Sequence, residues 1–269
     1  MTGDVLESAA AKPARSRDVS TRIFLGFLGL IAAMYAVILL YHRTNSPEAV
    51  AEDGGLLEQC RQICMQYGLV STGHIRNDAE AYLRAAQKRR LTEGLSVVLA
   101  DSTFVPEASQ SNSLLDKTAP DFSLPGVNGV IQELSQLGKD RPIVVVFYLG
   151  YGCSHCVAQL LALDKDQHYF RELDADIIAI SSDTSQHTAE KYKEYGEFQF
   201  PVLADVDYSV STRWGVYQPE TEEKPEFMKH GTFVVDRSGQ VIWAAVGNEP
   251  FLDNKTLLHV IAKSQGLLP

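Results

Sequence analysis

The longest apolar stretch lies near the start of the chain: Ile23 to Tyr41 runs nineteen positions without a charged residue. A helix rising 1.5 Å per residue would span roughly 28 Å over that length, about the thickness of a bilayer core, so the pattern predicts a transmembrane helix. Residues 1–22 before it are small, polar and mixed in charge, and read as a tail. Further on, Leu56, Leu57, Cys60, Ile63, Cys64 and Tyr67 recur at helical spacing on one face, with Gly68 as the stop. Asn77 is expected to cap a second helix, Asp78 to Arg90, and Leu95 to Leu99 a short third one. Residues 54–100 are therefore read as a small helical segment, and 101–116, rich in Ser, Asp and Gln, as a linker.

From about residue 117 to 269 the pattern alternates between two periods. Strands are predicted at Ile143–Leu149, Asp176–Ile180, Pro201–Leu203, Thr232–Val235 and Val241–Val246. Helices are predicted at Ser154–Leu173, Ser185–Tyr195, Ser209–Trp214 and Asn254–Gln265. Alternation of this kind, closing on a hairpin at Asp236-Arg237-Ser238-Gly239, implies an α/β domain with a mixed sheet and helices on both faces.

Charge changes this picture in two ways. Lys12, Arg15, Arg17 and Arg22 precede the apolar span, and Arg43 alone follows it within ten residues. The positive-inside rule then puts the tail in the cytoplasm and everything after Tyr41 outside, as a single-pass protein of the cytoplasmic membrane. Ala49-Val50-Ala51 has the small-x-small form of a cleavage site, so a removed signal peptide is the competing reading. The net charge of −10, with no basic stripe, excludes nucleic acid as the expected partner.

The candidate chemistry sits in Cys153-Ser154-His155-Cys156, where a fully apolar run ends in a glycine-punctuated turn and a helix begins. Two cysteines on the first turn can close a small disulfide ring, and the positive helix terminus favours a thiolate there. His155, when protonated, would stabilise the thiolate further. A half zinc site and two inert cysteines are the other readings of the pair. Cys60 and Cys64, one helical turn apart, are an auxiliary redox pair, a soft-metal pair for Cu(I) or zinc, or two small residues in a packed stripe. His168, His187 and His259 fall on predicted helix surfaces and are expected in solvent. No cofactor and no resident metal are expected.

Three segments carry a resemblance: Ala119-Pro120-Asp121-Phe122, the run Phe147 to Cys156, and Thr232-Phe233-Val234-Val235-Asp236. Together they resemble the thioredoxin-fold redoxins, and within these the alkyl hydroperoxide reductase / thiol-specific antioxidant family, over about residues 117–268. The resemblance implies a thioredoxin-like fold and a thiol-dependent oxidoreductase acting on disulfides or peroxides, with an unidentified thiol partner. By the family's Thr-x-x-Cys pattern Cys156 would be the peroxidatic cysteine and Cys153 stands in the threonine's place. Lys229-His230 stand where an arginine is expected, which implies that His230 comes near the cysteine pair. Gly152 and Gly231 stand where thioredoxins carry tryptophan and proline. These substitutions lead to the expectation that disulfide exchange is faster than peroxide reduction. A copper-handling chaperone and a non-catalytic interaction domain are the alternative readings of the same fold.

Overall fold

A computed structural model describes residues 16–45, 54–221, 224 and 226–268. The chain divides into two units, residues 1–52 and 53–269. In the first, α1 (Ser16–Asn45) has thirty residues, and its stretch Thr21–Ile38 has a mean hydropathy of 1.9 with none of it buried. It is long and apolar enough to cross a membrane.

The second unit is built on a five-stranded sheet. In chain order its elements are α2 (Gly54–Gln66), α3 (Ile75–Ala86), α4 (Leu95–Ala100), β1 (Ser123–Pro125), β2 (Ile131–Glu133), α5 (Leu134–Leu137), β3 (Ile143–Phe147) and α6 (Ser154–Glu172). Then follow β4 (Asp176–Ser181), α7 (Ser185–Tyr195), β5 (Val202–Ala204), α8 (Ser209–Arg213), β6 (Tyr217–Gln218), β7 (Phe227–Met228), β8 (His230–Val235), β9 (Val241–Gly247) and α9 (Asn254–Ser264). The sheet order is β5-β4-β3-β8-β9, with β3, β4 and β5 parallel and β8 and β9 antiparallel.

β3 is buried at every position because it lies mid-sheet with both faces covered. Its alternate side chains feed two cores. Val144 and Val146 pack among side chains of α6 and α9, whereas Ile143, Val145 and Phe147 pack with Leu134, Val210 and Trp214 on the other face.

Several expectations need correction. The helical segment packs onto the sheet domain: Cys60, Ala79, Tyr82, Leu83 and Val98 share one core with α6 and α9. The second helix starts at Ile75, so Asn77 lies inside it. Asp78, in the first turn, instead reaches back to accept from the Thr72 N–H at 3.0 Å, the Thr72 hydroxyl at 2.6 Å and the Ser71 hydroxyl at 2.8 Å. The expected linker is a strap along the edge strand β9. Gln110 N–H donates to the Ala244 carbonyl, Ser109 Oγ accepts from Ala244 N–H, and the Trp243 indole donates to the Glu107 carbonyl. Its polar side chains thus satisfy backbone groups that an edge strand leaves open. The same strap supplies Phe104, whose ring lies 4.6 Å from that of His259, and His259 is buried instead of solvated. The two-stranded ribbons β1-β2 and β6-β7 and the short α5 went unforeseen.

Candidate active site

β3 delivers the chain to the C-terminal edge of the sheet, where open α/β sheets place their sites. The turn that follows depends on Gly150, at φ +127°, where a Cβ would lie 2.6 Å from an Asp183 carboxylate oxygen. That oxygen accepts the Tyr151 N–H at 2.7 Å and so fixes the turn. Cys153 then occupies the N-cap of α6, with Ser154, His155 and Cys156 on its first turn. Their N–H groups are ones a helix cannot satisfy internally, which gives the cysteine ring an electropositive floor.

Cys153 and Cys156 are joined as a disulfide with their Cα atoms 5.3 Å apart, and they are 1% and 0% exposed. The register that pairs Phe147 with Gly231 carries His230, the first residue of β8, up to the same edge. His230 Nε2 lies 3.4 Å from Cys156 Sγ. Both ring nitrogens of His155 lie against Cys153 Sγ, at 3.4 Å and 3.5 Å. The two imidazoles face one another with centroids 5.2 Å apart. Beside them Gln159 Nε2 donates to Thr232 Oγ1 at 2.7 Å, tying α6 to β8 within the core.

Burial decides the protonation of both histidines. It pulls His155 down from 6.5 to about 4 and His230 well below its ordinary value, with His155 adding to the second effect. The imidazolium expected at His155 is therefore disfavoured near neutral pH. Each histidine meets its cysteine as a neutral hydrogen-bonding ring.

The helical segment does the covering. Tyr82 of α3 lies over His155 with ring centroids 5.4 Å apart. Cys64 Sγ of α2 lies 3.6 Å from His155 Nδ1 and 3.4 Å from Ser154 Oγ. Cys60, one turn earlier, offers a sulfur that lies with those of Cys153 and Cys156 and a nitrogen of His155, all within 4.8 Å of one another. With the disulfide closed, the free donors of that cluster are Cys60 and His155, fewer than a metal ion requires. Desolvation and the neighbouring Cys64 push the Cys60 thiol up to about 12. A cavity of about 330 Å³ opens beside the group, lined by Cys60, His155 and His230 together with Leu149, Met228 and Asn248.

The structure thus brings together all six residues singled out in the sequence, Cys60, Cys64, Cys153, His155, Cys156 and His230. Tyr82, Met228 and Asn248 were missed as site residues. Tyr82 lies within the helix predicted from Asp78 to Arg90, and nothing marked the other two.

The model of the AhpC/TSA family matches residues 115–244. Peroxiredoxin Bcp of Bacillus subtilis is 30% identical over 130 residues, covering 48% of this chain and 82% of that protein. The chloroplastic peroxiredoxin Q of Oryza sativa subsp. japonica is 32% identical over 149 residues, covering 55% and 65%. Among solved structures, peroxidoxin BcpB from Mycobacterium tuberculosis shares the fold at a TM-score of 0.50 and 23% identity, covering 61% of this chain and 100% of that one. A thioredoxin-like sheet, a cysteine at the head of the helix after its central strand, and these relatives place the chain in the AhpC/TSA family of thiol-dependent oxidoreductases.

Proposed function

We propose that this chain is a membrane-tethered thiol peroxidase in which a small hydroperoxide oxidises Cys156 and Cys153 then closes the disulfide. The observation that carries the reading is the burial of both cysteines behind His155 and His230, two side chains that touch the sulfurs and line a cavity of about 330 Å³. A space of that size admits hydrogen peroxide or a small organic hydroperoxide, and a folded protein bearing a disulfide does not fit. The order of rates expected from the substitutions is therefore reversed, because access outweighs the missing arginine.

In the first step the Cys156 thiol proton passes to His230 Nε2, and the sulfur attacks one peroxide oxygen. The S–O bond forms and the O–O bond breaks. The electron pair leaves on the other oxygen, which takes the proton from His230 and departs as water or an alcohol. The thiolate is stabilised meanwhile by the first-turn N–H groups of α6. In the second step the Cys153 thiol attacks the sulfenic sulfur, the S–S bond forms, the S–O bond breaks and water leaves. A thiol reductant returns the two electrons.

The membrane tether rests on the uncharged segment of α1 and on the basic residues before it, which favour a cytoplasmic N-terminus and an outward-facing redoxin domain. Stopped-flow oxidation of the reduced full-length chain in detergent tests the chemistry. The rate constant with hydrogen peroxide is expected to exceed that with glutathione disulfide by at least a hundredfold, and the opposite order contradicts a peroxidase.

A further inference from the structure

A disulfide sealed this deeply poses a problem for its own reduction. Cys153 and Cys156 are 1% and 0% exposed, and α2 and α3 lie over them, so a protein reductant has no path to either sulfur. A sulfur from outside the motif, that of Cys60, lies within 4.8 Å of both. Cys64, one turn further along the same helix, is partly exposed.

We propose that Cys60 and Cys64 form an internal dithiol that reduces the Cys153–Cys156 disulfide and carries the oxidation out to the surface of α2. This rests on the reading of Cys153 and Cys156 as the redox pair and names how that pair is regenerated.

The chemistry balances as two thiol-disulfide exchanges. Cys60 Sγ attacks Cys153 Sγ: the S60–S153 bond forms, the S153–S156 bond breaks, and the electron pair leaves on Cys156. The proton that Cys60 loses passes to the facing imidazoles and on through His230 Nε2, 3.4 Å from Cys156, to the leaving sulfur, so both rings end neutral as they began. Cys64 Sγ then attacks Cys60 Sγ: the S64–S60 bond forms and the S60–S153 bond breaks, with Cys153 as leaving group. His155 Nδ1 lies 3.6 Å from Cys64 and 3.4 Å from Cys153, so one atom can take the proton of the nucleophile and deliver it to the leaving sulfur. Two electrons and two protons have then moved inward. The new disulfide spans one helical turn, about 6 Å between Cα atoms, and closing it requires that turn of α2 to distort, because Cβ atoms at this spacing stand about 5–6 Å apart against the roughly 3.5–4.5 Å of a disulfide. Burial raises the pKa of Cys60, so its thiol is protonated at rest.

The test uses the full-length protein in detergent, fully reduced, freed of reductant and given one equivalent of hydrogen peroxide per chain. After acid quenching and alkylation, peptide mapping locates the disulfide. The account predicts a Cys60–Cys64 disulfide alongside Cys153–Cys156 in the unaltered chain. Cys64→Ser is expected to accumulate a Cys60–Cys153 disulfide as its main product. Cys60→Ser is expected to slow turnover with a thioredoxin as probe reductant at least tenfold. A Cys153–Cys156 disulfide with Cys60 and Cys64 alkylated throughout, and no mixed disulfide in Cys64→Ser, overturns the relay alone. Absence of any Cys153–Cys156 disulfide overturns the proposed redox pair as well. One zinc ion bound per reduced chain and lost in Cys60→Ser, with no exchange products, would replace the relay with a metal site.

Discussion

His230 Nε2 lies 3.4 Å from Cys156 Sγ, although the two residues are 74 positions apart. Two elements create the contact: the antiparallel register of β3 and β8, and the start of α6 within one short turn of the end of β3. The histidine occupies the place where a polarising arginine was expected, and it differs from arginine in being able to accept a proton as well as donate one.

Removing that ring should therefore slow the first chemical step. His230→Ala is expected to reduce the rate constant for hydrogen peroxide roughly a hundredfold, the usual scale for losing a proton-transfer partner. His230→Gln, which keeps a hydrogen-bonding side chain, should recover part of the loss. Stopped-flow oxidation followed by residual-thiol titration measures both, and an unchanged rate in His230→Ala would remove the histidine from the mechanism.

The buried state of His155 has a signature in stability against pH. Its folded value is about 4 against 6.5 for the free side chain, so the unfolded chain binds more protons between those two values. Stability from this group is full above about pH 6.5, falls as pH drops through the window and levels off below about 4. The amplitude is about 3 kcal/mol, and His230, also depressed, acts in the same direction. Urea unfolding at pH 7 and pH 4.5 should show a smaller loss in His155→Leu than in the parent chain. Equal losses would mean the imidazole is not held neutral.

Gly231 is expected to be intolerant of any side chain. An added Cβ there would lie 2.5 Å from Val216 Cγ1 and 2.9 Å from the Phe233 ring, and Phe233 is held in turn by Trp214 at a centroid distance of 5.0 Å. Gly231→Ala should cost about 1–3 kcal/mol through overpacking. Gly247→Ala, with nothing within 4 Å, should cost much less at the next strand. Thermal melts compare the two, and equal shifts would contradict the packing argument.

The central architecture could be read from the sequence because its signals are long and local. Ile143–Phe147 is an unbroken apolar run and α6 begins at a cysteine cap, so strand, turn and helix follow from periodicity and turn chemistry. The ribbons β1-β2 and β6-β7 are two or three residues per strand, too short to establish a period. His259 was misplaced because its surroundings come from Phe104, 155 positions away, in a segment whose polarity suggested a free linker. The spacing of Cys153 and Cys156 marked them as a pair able to close a disulfide, and the structure joins them. The approach of Cys60 and Cys64 to that pair was not legible, since a helical stripe shows which residues share a face and says nothing of what that face meets.

The proposed tether makes its own prediction. Full-length protein expressed in bacteria should sediment with membranes, resist high salt and be released by detergent, because nineteen uncharged residues supply a bilayer-length helix. A soluble product beginning at Glu52 would instead show cleavage of the N-terminal segment.

The central claim is that Cys156 is the sulfur that meets the peroxide. Its most direct measurement is dimedone labelling of the reduced Cys153→Ser chain after one equivalent of hydrogen peroxide, with the site located by mass spectrometry. The account predicts label on Cys156, and loss of peroxide consumption in Cys156→Ser. Label absent from Cys156, with peroxide still consumed by Cys156→Ser, would contradict it.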